Sequence, residues 1–125
     1  MSNPERFLFV PCSGSARFVD VNVTDDHREF LDTCHKLLDC DCIENVYFGN
    51  QYIMIVDDVG KLRHKPINRI GTILYRNSFD CIVGNVLIGE QVIRGEYNEA
   101  DIGGLSPTTE AFFRVFLHTQ GIAIE

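Results

Sequence analysis

Apolar residues fall in short runs along most of the chain, and the period of that pattern changes from segment to segment. Phe7-Leu8-Phe9-Val10 is one such run, and after the turn-like Cys12-Ser13-Gly14-Ser15 a second alternates through Ala16, Phe18, Val19, Val21 and Val23. Short runs bounded by small polar residues predict two strands joined as a hairpin. Phe30, Cys34, Leu37 and Leu38 then recur at helical spacing with Leu31 beside them, which predicts an amphipathic helix over residues 27 to 39, lying on the sheet. Asp26 and Glu29 supply a capping box at its start, and His27 and His35 fall on its polar face.

Ile43, Val46 and Phe48 open a further extended segment, closed by Gly49-Asn50 and followed by Gln51-Tyr52-Ile53-Met54-Ile55-Val56, a second hairpin. Asp57-Asp58-Val59-Gly60 reads as a turn, because short acidic side chains bond to following backbone N–H groups and glycine accepts a positive φ. Leu62 is expected to end a short arm back toward the sheet. Pro66 biases Lys65 away from helix, and Asn68 caps a short helix at 69 to 76 carrying Ile70, Ile73 and Leu74.

Beyond it, Cys81-Ile82-Val83, Gly84 and Val86-Leu87-Ile88-Gly89 form a near-continuous apolar stretch that predicts a central strand. Glu90 to Gly104 is glycine-spaced and mixed, and reads as a short strand at Val92-Ile93 followed by a loop. Ser106 and Pro107 mark a helix entry, and Phe112, Phe113, Phe116 and Leu117 give that helix an aromatic face for the core or a dimer contact. Residues 121 to 125 are a tail that frays or docks. The expected fold class is α+β: a mixed or antiparallel sheet with two main helices and one short helix, in a single domain over residues 1 to 125.

Composition narrows the functional classes. A chain of 125 residues buries roughly two-thirds of its extended surface, which supports a core without disulfides or metal. No run approaches the roughly 20 apolar residues that span a membrane, and the N-terminus lacks the basic start and apolar stretch of a signal peptide, so a cytoplasmic location is expected. With 18 acidic against 11 basic side chains, the formal charge of -7 gives no global attraction to nucleic acid or anionic lipid. Neither a helix-turn-helix nor an aromatic RNA-reading strand is present, so nucleic acid is not an expected partner. The five cysteines are dispersed, and Cys40-Asp41-Cys42 with His35 lacks both zinc-knuckle spacing and a second ligand pair. Free buried thiols are expected, with no metal and no cofactor.

Candidate chemistry concentrates between Asp57 and Arg69. Lys61, Arg63, His64, Lys65 and Arg69, with Arg76 nearby, form a basic cluster directly after the acidic turn, either a solvated loop face or a phosphate contact. Asp57 and Asp58 are adjacent, so on an extended backbone they point opposite ways. Asn68 offers an amide at a helix start, and Arg69 adds a bidentate fork for an anion. Asp57, Asp58, Lys61, Asn68 and Arg69 are therefore the candidate ligand- or partner-binding residues, although turn and cap roles also account for Asp57 and Asn68. No catalytic residue is assigned. A glycine-flanked serine nucleophile is missing, and a hydrolase would need Asp57, Asp58 or Glu44 to converge with a base and an anion donor in one cleft.

Ile53-Met54-Ile55-Val56-Asp57-Asp58-Val59-Gly60-Lys61-Leu62, followed by Pro66-Ile67-Asn68-Arg69, resembles the small DUF3846 domain of bacteria, phages and mobile elements. Ile82-Val83-Gly84-Asn85-Val86-Leu87-Ile88 and the helix entry Leu105-Ser106-Pro107-Thr108 are similar to the same family, so the resemblance covers roughly residues 6 to 118. It departs at Cys40-Asp41-Cys42, where the family carries a glycine pair and tyrosine. The resemblance implies an origin in mobile or phage-derived genes and supplies no enzymatic role. The expectation is a non-enzymatic accessory protein, as a homodimer, that binds a protein partner or small ligand near residues 57 to 69. The alternative is a small hydrolase acting on a phosphate-containing or nucleotide-like substrate.

Overall fold

The computed structural model describes residues 3–23, 28–77, 79–94 and 99–125. Strands β1 (Asn3–Val10) and β2 (Arg17–Val23) form the first hairpin, followed by helix α1 (Arg28–Leu38). A second hairpin of β3 (Ile43–Phe48) and β4 (Tyr52–Asp57) leads to the short helix α2 (Arg69–Tyr75). The strands β5 (Val86–Arg94) and β6 (Glu99–Gly103) then precede α3 (Pro107–Thr119). The six strands make one sheet in the order β2-β1-β5-β4-β3, with β6 also paired to β5. Every strand pairing is antiparallel, which resolves the expected sheet type and bears out the α+β class.

β5 explains its own sequence. Its first half lies between β1 and β4, with Ile88 opposite both Leu8 and Met54, so Val86, Leu87 and Ile88 are fully buried. A strand covered on both faces needs apolar residues at every position. The sheet separates two cores. Phe7, Phe9, Val21, Ile53, Ile55 and Leu87 pack on the α1 side with Phe30, Cys34 and Leu38. Leu8, Val10, Met54, Val56, Val86 and Ile88 pack on the opposite side with Ile70, Phe113 and Leu117. The aromatic face of α3 thus divides: Phe113 enters the core, while Phe112 is exposed.

Three expectations are corrected. The central strand does not include residues 81–83, which form a loop bridged only at Ile67 and Val83. Gly84 explains the break, since its φ of +79° and its N–H bond to the Pro66 carbonyl turn the chain away from an extended course. Val92 and Ile93 continue β5, and the expected loop after them contains β6, whose register sets Val92 opposite Asp101. Glu90 interrupts the apolar pattern there, but its buried carboxylate accepts bonds from the Ser106 N–H at 2.6 Å and from Gln51 Nε2 at 3.0 Å. Leu62 does not return to the sheet; it is 80% exposed in the turns that span residues 58–64.

The remaining caps hold where they are described. Ser106 accepts from the Thr109 N–H with Pro107 at the first helical position, and Asn68 caps α2. Asp26 and His27 lie outside the described residues; Glu29 accepts a bond from Asn22 Nδ2 at 2.7 Å. The tail docks, with Ala16 donating to the Ala123 carbonyl and Glu125 donating to the Ala16 carbonyl, each at 2.9 Å. All five cysteines are free, Cys34 and Cys40 buried, and burial pushes the Cys34 thiol up to about 12. No described helix is long and apolar enough to cross a membrane.

Candidate functional site

Asp57 ends β4 with its side chain turned inward, and the residue is only 5% exposed. One carboxylate oxygen accepts the Val59 N–H at 3.0 Å, the bond that shapes the turn. The other meets Lys65 Nζ at 2.8 Å and Arg63 at 3.4 Å. Lys65 Nζ also donates to the carbonyls of Leu38 at 3.0 Å and Asp39 at 2.7 Å, so it caps the end of α1 while neutralising Asp57. Burial pushes the Asp57 carboxyl up, but the bonds from Lys65 and the Val59 N–H, with the charges of Lys65 and Arg63, outweigh it and hold the group below its ordinary value. The basic cluster is therefore not one solvated face.

Asn68 is 1% exposed, and its amide is fully occupied. Its nitrogen donates to the carbonyls of Val10 and Gly84, each at 3.0 Å, and its oxygen accepts the Gly71 N–H at 2.9 Å. It joins β1, the 81–84 loop and α2 rather than facing solvent. Arg69 is exposed and reaches the end of α3, donating to Gln120 Oε1 at 3.3 Å and to the Gln120 carbonyl at 2.9 Å. The two residues are adjacent in sequence and separate in what they touch.

The opposite arrangement occurs around Asp58 and Lys61. These two line a groove of about 220 Å³ with Glu44 and Val46 of β3, Tyr75 of α2, and the loop from Asp80 to Val83. Asp57 contributes to its wall, although its carboxylate is engaged with Lys65 and Arg63. Lys61 forms an ion pair with Asp80, which raises the lysine and lowers the carboxyl; Asp80 also accepts the Cys81 N–H at 2.9 Å. Glu44 is pushed up, first by burial and then by the neighbouring carboxylate of Asp58, with Lys61 opposing. Leu62 and Val83 give the groove an apolar side.

Chemically, this groove holds more negative than positive charge. Glu44, Asp58 and Asp80 are set against Lys61 alone, because Arg63 and Lys65 are turned to Asp57. Among the described residues no three His, Cys, Asp or Glu side chains are arranged to hold a metal ion. No histidine among the described residues lines the groove, His64 included. The acidic turn and basic run pointed to this neighbourhood; Glu44 had entered only as a hydrolase requirement, and Asp80 had no local signal because the fold brings it in from a distant loop.

The sequence model of the DUF3846 family, a domain of unknown function, matches residues 7–113 of the chain. No curated protein and no solved structure matches it. The family match spans most of the 125 residues, and the chain belongs to the DUF3846 family.

Proposed function

We propose that this DUF3846 member is a non-catalytic accessory protein whose groove beside Asp58 receives a positively charged group of a partner or small molecule. The supporting observation is that Glu44 and Asp58 line one groove whose single lysine is already paired to Asp80, so that each carboxylate sits beside the other's negative charge. Two carboxylates crowded in this way retain free lone pairs and gain from an incoming cation. The apolar wall from Val46, Leu62 and Val83 suits an aliphatic stem below that charge.

A phosphate-cleaving hydrolase is less well supported. Its substrate would meet the same carboxylates, and the cations able to hold a phosphate are engaged with Asp57 and Asp80. Native mass spectrometry of protein purified from cells, with Asp58→Asn and Glu44→Gln beside it, tests the choice. A cationic adduct carried by the parent protein and lost from both variants is expected. A phosphate-bearing adduct, or one that both variants keep, would overturn the reading.

A further inference from the structure

β3 is the last strand in the sheet order, and its pairing fixes which backbone groups face outward. The Asp58 N–H bonds to the Cys42 carbonyl at 3.0 Å, and the register continues through Glu44 opposite Val56 and Val46 opposite Met54. Hydrogen-bonded pairs alternate along an antiparallel ladder, so the N–H and C=O groups of Ile43, Asn45 and Tyr47 point away from β4. Among the described residues no strand pairs with that side. The opposite edge differs, because the tail bonds to Ala16 at the start of β2. β3 also lacks the proline or lysine that commonly blunts an exposed edge.

We propose, building on the groove reading above, that the outer edge of β3 takes up an extended basic segment of a partner protein as an additional strand, with one lysine or arginine entering the groove. Side chains alternate across β3: Glu44 and Val46 line the groove, whereas Tyr47, 62% exposed, stands on the other face. A strand laid beside β3 places its side chains roughly 4.5–5.5 Å from their cross-strand neighbours. A cation opposite Glu44 is therefore within reach of both Glu44 and Asp58, while apolar neighbours meet Val46 and Tyr47. The charge selects the occupant. A second copy would bring two acidic grooves to one seam between chains that each carry a formal charge of -7. A basic segment relieves that repulsion, and alternate side chains supply specificity in strand addition.

The test uses the full chain and a blocked eight-residue peptide of valine and lysine in which the residues on one face alternate lysine with valine and those on the other face are valine, followed by binding titration and amide hydrogen exchange. Slowed exchange at Asn45 and Tyr47 is expected. Asn45→Pro, which removes an outward N–H on an edge strand, should weaken binding about tenfold, and Asp58→Asn roughly fivefold. Binding that falls with Asp58→Asn but not with Asn45→Pro, without protection at Asn45 and Tyr47, would overturn strand addition and leave the groove reading standing. Peptide binding indifferent to both Asp58→Asn and Asn45→Pro, or no binding of the peptide, would overturn the proposal, and the cationic adduct sought by native mass spectrometry then decides the groove reading on its own. Should Asn45→Pro fail to fold, protection in the parent protein decides. Concentration-dependent protection of those amides without peptide would assign the edge to a second copy and overturn the proposal.

Discussion

Asp57 is buried and bonded to a lysine, an arginine and a backbone N–H, whereas Asp58, the next residue, is exposed over a groove that it shares with Glu44. The backbone accounts for the divergence: Asp57 is the last residue of β4, and successive side chains of an extended chain point to opposite sides. What differs most is the company each keeps. The inward carboxylate has cations that neutralise it, while the outward one sits beside another acid. A structural charge is recognisable by its satisfied partners, and a binding charge by a deficit that a ligand can fill.

Removing an internal partner should have the largest effect on stability. Asn68→Ala abolishes the α2 cap and leaves the Val10 and Gly84 carbonyls without their donor, a loss of about 3 kcal/mol in urea unfolding. Asp57→Asn leaves Lys65 without its carboxylate and should cost about 2 kcal/mol. Arg69→Ala removes only an exposed contact with Gln120, for about 0.5 kcal/mol. Asp58→Asn should change stability by less than about 0.5 kcal/mol, since it relieves repulsion rather than breaking a pair. Equal losses for Asp57→Asn and Asp58→Asn would break the contrast between the two carboxylates.

Acid titration sharpens the same contrast because the two sides shift in opposite directions. The folded Asp57 carboxyl lies below its ordinary value of 3.8, so its contribution is present above that pH and is lost as pH falls through the lower folded value. Glu44 lies above its ordinary 4.5, so its ionisation opposes folding as pH rises through that range, and protonation relieves the penalty. Unfolding midpoints measured from pH 7 downward should show a weaker acid loss in Asp57→Asn, and a higher neutral-pH stability in Glu44→Gln, than in the parent protein. Bound cations should also leave the groove as acid protonates Glu44.

Much of the frame was legible in the sequence because its signals are local. Gly49-Asn50 marks the hairpin turn, and Asn68 and Ser106 carry their caps within three residues. β6 was not legible: Glu-Ala-Asp-Ile-Gly has little strand character, and pairing with β5 imposes its conformation. The site was half legible. The turn located Asp58 and Lys61, but nothing in the run from Arg63 to Lys65 revealed that two of its cations turn to Asp57. Asp80 became visible only with the loop that Gly84 and Asn68 hold in place.

The central position of β5 has a consequence for how the protein is made. The β1–β2 and β3–β4 hairpins precede it along the chain, yet they meet only through it. During synthesis each early hairpin therefore waits with an unpaired apolar edge until Val86 to Glu90 emerges between them. Joining them closes long loops, so assembly of the sheet should be slow beside formation of either hairpin. Nascent chains stopped just before Val86 are expected to be the species most in need of a chaperone.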